Sequence, residues 1–369
     1  MPERARPIHS MPCLVADIGG THARFAVWDG TELQALSTLR CADHATLRDA
    51  LQAYRQDACS SASLSASAQA GLAWPQQAAL AIAHTPGGDV VRMTNHPWVF
   101  SQAELQAAMG WERLLVLNDF TALALGLPYV PASDWQQVGG PPQPQGPEWH
   151  LLPAGAVLGL VGPGTGLGVS ALWRTPEGLW NALPGEGGHA TWAATTPRER
   201  LVFDVLQARY GHVSVERVAS GPGLAEVYGI LATQPGAVAA GAPETLPANS
   251  PAQVVELALQ SADAVATEAL QMLCAALGSL AGNLALTLGA RHGVVVGGGV
   301  VPRLGAWFGQ SAFRQAFEQK GRYQPWLAQV PVWVVPAGVS PALRGAAVAL
   351  AQTSESAQAQ ASARFPAQS

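Results

Sequence analysis

The chain has 369 residues, of which 49% are hydrophobic and 12% charged. That is globular composition with enough apolar mass for one large or two medium cores, so two domains are the starting expectation. A formal net charge of −5 without any Lys/Arg run excludes the basic footprint that a nucleic-acid partner requires. The four cysteines, Cys13, Cys41, Cys59 and Cys274, form no CxxC pair. This argues against a disulfide framework and a cysteine-based zinc site, and points to a reducing, cytoplasmic setting.

The first dozen residues carry positive charge but lead into a short apolar run broken by Asp17 and two glycines, which lacks the core of a signal peptide. The runs 13–20 (CLVADIGG) and 23–28 (ARFAVW) predict two strands joined by a tight Gly-Gly turn, a hairpin inside a mixed sheet. A helical spacing follows over 44–57, then an Ala/Ser-rich loop at 60–71 and a strand at 78–83 (AALAIA). Next come a helix at 101–109, a strand at 113–119 (RLLVLND), a helix at 119–126 and a Gly/Pro loop at 139–148.

The second half continues with strands at 156–162 and 167–173, a helix at 197–210, a Gly/Pro/Ala loop at 234–251 and one long helical run at 252–289. A strand at 293–299 (GVVVGGG), a helix at 303–319 and a strand at 330–335 (VPVWVV) complete the pattern, and the tail after Leu350 is expected to fray. Strands alternating with helices mean an α/β fold. The uncharged stretch 270–290 is long enough to cross a bilayer. Gln271, Ser279, Asn283, Thr287 and three glycines interrupt it, so a buried central helix and no membrane partner are expected.

Backbone N–H groups can bind phosphate only where side chains leave room, and three glycine clusters follow strands here. In the first, Asp17, Gly19, Gly20, Thr21 and Arg24 set a carboxylate, a Gly-Gly turn, a hydroxyl and a guanidinium together, as a Mg²⁺–polyphosphate site requires. The second is Gly162–Gly168, with Gly164, Thr165 and Gly166 at its centre. The third is Gly297-Gly298-Gly299, suited to close approach of a base or ribose. Each has an alternative explanation as a turn that uses glycine for positive φ. None is a Walker A, GxGxxG or protein-kinase pattern.

Phosphoryl transfer to an alcohol also needs a base beside the hydroxyl and groups that hold the acceptor. Asn118-Asp119 ends a predicted strand and opens a helix, and two readings stand open: a base at a sheet edge, or a helix N-cap. Glu186 and His189 lie on the Gly-rich segment PGEGGH, and Glu216 on ERVASGPG. Carboxylates and a histidine on such loops suit vicinal sugar hydroxyls. An ion pair with a neighbouring arginine is the alternative for Glu216, and a plain surface position for His189. Glu186 and His189 have Glu-x-x-His spacing, but a metal site of that kind needs a helix, which this glycine-rich run does not favour. Asn95, in MTNHPWVFS, is a further polar candidate or a turn residue before Pro97.

In this order the motifs LVADIGGTHARFAVWDG, MTNHPWVFS, LNDFTALALGLP, GPGTGLGVSAL, LPGEGGHA, HVSVERVASGPGLAEVYG, GNLALTLGA and VVVGGGVVPRLG closely resemble those of the bacterial glucokinases of the hexokinase, or actin-like ATPase, superfamily, from about residue 13 to about 350. The resemblance implies a two-domain actin-like ATPase (ribonuclease H-like) α/β fold with an interdomain cleft. Its small domain would be 11–129 plus 338–369, and its large domain 130–337. It implies transfer of the terminal phosphate of ATP to the 6-hydroxyl of D-glucose, with Asp119 as general base and Asn95, Asn118, Glu186, His189 and Glu216 among the sugar-binding groups. Asp17 would organise Mg²⁺ through water; Gly19, Gly20, Thr21, Arg24 and Gly164-Thr165-Gly166 would serve the phosphates, and Gly298 and Gly299 the adenosine. A homodimer is what relatives usually form. His22 departs from the Asn that many relatives carry after Gly-Gly-Thr. A kinase of the ROK type is the nearest alternative, although the cysteine-rich motif usual there has no counterpart between Cys59 and Cys274; a non-catalytic sugar sensor of the same fold is another.

Overall fold

The computed structural model describes residues 12–60, 74–83, 88–94, 96–234, 250–261, 263–336 and 340–364. Asn95 and most of the loops expected at 60–71 and 234–251 lie outside the described residues. The chain divides into two compact units, Met1–Val130 with Ser340–Ser369, and Pro131–Val339.

Unit 1 is built on strands β1 (Cys13–Ile18), β2 (His22–Trp28), β3 (Leu33–Arg40), β4 (Gln77–Ile82) and β7 (Arg113–Asn118), in the order β3-β2-β1-β4-β7. The β1/β2 and β2/β3 pairs are antiparallel, whereas β1/β4 and β4/β7 are parallel. The small strands β5 (Val90–Arg92) and β6 (Val99–Ser101) form a separate hairpin. Alternate β1 side chains go to opposite faces, and both faces are covered. Leu14, Ala16 and Ile18 pack with Leu47, Leu51 and Tyr54 of α1 (Leu47–Ser60) and with Leu105 and Met109 of α2 (Gln102–Met109). Cys13 and Val15 pack with Leu343, Ala346, Ala347 and Leu350 of the C-terminal helix Pro341–Arg364.

That helix crosses α3 (Asp119–Gly126) backbone to backbone. A Cβ on Gly345 would stand 1.8 Å from the Ala122 carbonyl oxygen, and one on Gly126 1.9 Å from that of Pro341. The tail expected to fray after Leu350 is instead helical to Arg364. Its Ala and Gln are good helix formers, and no Gly or Pro interrupts them before Pro366.

Unit 2 repeats the topology. Strands β8 (Gln136–Gln137), β9 (Val157–Pro163), β10 (Leu167–Arg174), β11 (Trp180–Gly185), β12 (Val294–Val296) and β13 (Val332–Val334) run in the order β11-β10-β9-β12-β13-β8. An antiparallel hairpin with a third antiparallel strand is again followed by two parallel ones, and β8 adds an edge. Helices α4 (Pro197–Tyr210), α5 (Gly221–Ala232), α6 (Pro251–Gln260), α7 (Ala264–Leu288), α8 (Phe313–Glu318) and α9 (Gln324–Ala328) belong to this unit.

The single helical run expected at 252–289 is two helices, because α6 ends at its C-cap Ser261 and the Asp263 carboxylate starts α7 by accepting from Ala266 N at 2.7 Å. The helix expected at 303–319 is a 3₁₀ segment, Val301–Gln310, kinked at Gly305, followed by the short α8. Helix α7 is long and apolar enough to cross a membrane, but 67% of its apolar window is buried within the protein. The β3, β5, β6, β8 and β11 strands carry no strong apolar run and were not expected.

Candidate active site

In unit 1 the register sets Ile18 beside Ile82 and Ile82 beside Asn118. Because β1, β4 and β7 are parallel, the Gly-Gly turn and the Asn118-Asp119 pair leave the same end of the sheet. Carboxyl ends of parallel strands are where α/β folds bind ligands.

The turn Gly19-Gly20-Thr21 is closed by Gly19 N donating to the His22 carbonyl at 3.0 Å and fixed by Cys41 N donating to that of Thr21 at 2.9 Å. The exposed position 22 thus closes the turn through its backbone, so His in place of Asn leaves this bond intact. Asp17 Oδ2 accepts from Arg24 Nη1 and from Ser340 Oγ, both at 3.2 Å. Burial pushes the Asp17 carboxyl above its ordinary value, against the lowering influence of Arg24 and Ser340. No group of three or more His, Cys, Asp or Glu among the described residues could cage a metal. A single carboxylate beside a glycine turn does fit Mg²⁺, which keeps waters and takes further ligands from phosphates.

Asn118 is the N-cap of α3, its Oδ1 accepting from Phe120 N at 2.9 Å and Thr121 N at 3.1 Å. Asp119 is the first helical residue, with Oδ1 accepting from Phe120 N at 2.8 Å. The cap reading therefore describes Asn118 and leaves Asp119 as a half-buried carboxylate held by a backbone N–H at the sheet edge.

In unit 2 the loop Gly164-Thr165-Gly166 joins β9 to β10, closed by Gly164 N donating to the Gly166 carbonyl at 2.8 Å. Neither Gly19, Gly20, Gly164, Gly166 nor Gly299 has a positive φ. A Cβ on Gly164 or Gly299 would meet nothing within 4 Å, so the fold itself does not require glycine there. Gly298 differs: its φ is +78°, and a Cβ would come 2.3 Å from the Pro163 carbonyl oxygen, which accounts for that residue by packing alone.

The remaining candidates gather around the same hairpin. Glu186 and His189 bracket a single 3₁₀ turn, His189 N donating to the Glu186 carbonyl at 3.0 Å, and both side chains are exposed. Val215 N donates to the Ala190 carbonyl at 2.9 Å, locking this turn beside the one that carries Glu216. The ion-pair alternative for Glu216 is not realised: Glu216 Oε2 accepts from Leu167 N at 2.8 Å, and Arg217 stacks on Tyr210. Sequence reasoning missed Ser340, Gly188 and the Leu167 N–H. Only Ser340 had a local signal, as a Ser-Pro helix start; the others act through contacts between segments distant along the chain. Cys13, Cys41 and Cys274 are buried free thiols, and burial pushes Cys13 and Cys274 up to about 12.

Known proteins match along nearly the whole chain. The model of the family described as Glucokinase matches residues 14–353. A glucokinase of Aromatoleum aromaticum is 48% identical over 341 residues, 92% of this chain and 94% of that protein. A glucokinase of Chromobacterium violaceum is 45% identical, over 92% of this chain and 89% of its own. Among solved structures, a glucokinase from an Antarctic psychrotroph superposes with a TM-score of 0.72 at 32% identity, over 92% of this chain and 99% of that one. Matches of this depth and extent place the chain in the glucokinase family, enzymes of the two-domain actin-like ATPase fold that phosphorylate glucose with ATP.

Proposed function

We propose that Asp119 draws the proton from the 6-hydroxyl of D-glucose as that oxygen attacks the terminal phosphorus of ATP. The observation that carries this reading is the unit 1 register, which brings Asp119 and the Gly19-Gly20 turn to one sheet end. Asn118 commits Oδ1 to its cap, so a sugar hydroxyl would be bound through Nδ2. Glu186, His189 and Glu216 bind other hydroxyls, and Asn95 lies in the segment assigned to the sugar. The Gly19-Gly20-Thr21 and Gly164-Thr165-Gly166 turns, each closed by the N–H of its first glycine, hold the phosphates through the Gly20 and Gly166 N–H groups, with Thr21, Thr165 and Arg24, while Gly298 and Gly299 lie against the adenosine. Mg²⁺, held by Asp17 through water, would neutralise charge on the phosphates when bound. The working form we propose is a cytoplasmic homodimer.

The direct test is ADP release with Mg-ATP, with and without each of several hexoses, coupled to detection of the sugar 6-phosphate. Strong stimulation by glucose is expected. Stimulation by a different hexose alone would change the substrate, and none by any hexose would remove the assignment.

A second test separates turn geometry from phosphate binding. Gly164→Ala meets neither a steric nor a φ obstacle, so its stability should stay within about 0.5 kcal/mol of wild type. The KM for ATP should nevertheless rise, because a methyl group occupies the approach to the loop. An unchanged ATP KM would take this loop out of phosphate binding.

A further inference from the structure

The side chain assigned to the sugar and the loop assigned to the phosphates share an atom-to-atom contact. Glu216 Oε2 accepts from Leu167 N at 2.8 Å, and Leu167 is the first residue after Gly164-Thr165-Gly166. The fit is close: a Cβ on Gly166 would stand 2.7 Å from the same oxygen. Both partners are fixed on their far sides. Gly188, between Glu186 and His189, backs onto Leu167, where a Cβ would lie 2.1 Å from the Leu167 carbonyl oxygen. Gly223 backs onto the Glu216 turn, where a Cβ would lie 2.7 Å from the Arg217 carbonyl oxygen and 3.0 Å from that of Glu216. Gly221 N donates to the Gly164 carbonyl at 2.8 Å, tying the start of α5 to the other end of the loop.

A carboxylate can accept at both oxygens, and an N–H donated to an ionised acceptor is among the stronger hydrogen bonds. We propose that Glu216 has two duties: Oε2 holds the Gly164–Gly166 loop in its phosphate-binding shape through Leu167, and Oε1 takes a sugar hydroxyl. Glu216 is thus a positioning residue for the nucleotide as well as a ligand for the sugar, and a shift on one side is felt directly on the other. This inference rests on the reading of Glu216 as a sugar ligand.

The experiment compares Glu216→Ala with Glu216→Gln in the full-length protein. ADP affinity is measured by calorimetry without sugar, glucose KM by turnover, and folding by thermal unfolding. An amide oxygen can still accept from Leu167 N, whereas alanine cannot. Glu216→Ala should weaken ADP by about tenfold, the equivalent of roughly 1.4 kcal/mol. Glu216→Gln should stay within about twofold of wild type for ADP, since it keeps the acceptor. Both should raise the glucose KM.

Unchanged ADP affinity in the alanine variant, or equal weakening by both, would overturn the anchoring role; the glucose KM then judges the sugar reading separately. Weakened ADP binding with an unchanged glucose KM in both variants would overturn the double duty from the sugar side. Should Glu216→Ala fail to fold, Gly166→Ala gives the answer, because its methyl group displaces Oε2 while keeping the carboxylate. Weaker ADP binding together with a higher glucose KM is expected there, and a change in only one or in neither would sink the proposal.

Discussion

Asp119→Asn should lower kcat by about 10²- to 10⁴-fold, the range a positioned general base supplies, while leaving the glucose KM within about threefold. Asparagine keeps the oxygen that accepts from Phe120 N, so α3 should start as before. What is removed is proton acceptance, which matters mainly as the 6-hydroxyl becomes a nucleophile. Steady-state kinetics with glucose and Mg-ATP decide it. A kcat near wild type would remove Asp119 from the base role, and a large rise in KM with kcat preserved would make it a binding group instead.

The second large effect concerns stability. Gly345→Val should destabilise unit 1 by about 3 kcal/mol or more, at the upper end of overpacking costs. The new Cβ would sit 1.8 Å from the Ala122 carbonyl oxygen and 2.7 Å from Gly126 N, both backbone atoms of a helix, which cannot step aside as a side chain can. Forcing the C-terminal helix away from α3 would also loosen the helix that begins at Asp119. Urea unfolding should show a lowered midpoint, with kcat falling alongside it. A wild-type midpoint would mean that the two helices can separate without loss.

Much of this architecture could be read from the chain because its central strands are short apolar runs and its turns are glycine-rich. The runs CLVADI, QAALAI and VLGLVGP mark strands buried on both faces, and the glycine turns after the first and third carry candidate site residues. Strands such as Leu33–Arg40 and Trp180–Gly185 escaped notice because each forms an edge, with a part-exposed sequence that lacks a clean period. Local signals also failed where a contact joins remote segments. Ser340 meets Asp17 across 323 positions, and Leu167 meets Glu216 across 49. The glycines divide in the same way: nothing in the sequence separates Gly298, which packing demands, from Gly164 and Gly299, which it does not.

The division of unit 1 between the two ends of the chain has a consequence for its birth on the ribosome. Cys13, Val15, Ala26, Trp28 and Ala79 form an apolar sheet face whose cover, Leu343, Ala346, Ala347 and Leu350, is translated only after the whole of unit 2. At about 5–20 residues per second that interval is roughly 10–40 s, long on the scale of collapse and aggregation. Unit 2, continuous in sequence, can complete its core while the nascent first sheet still shows an uncovered face. That face stays uncovered until the last helix arrives, which makes its closure the final step in building unit 1.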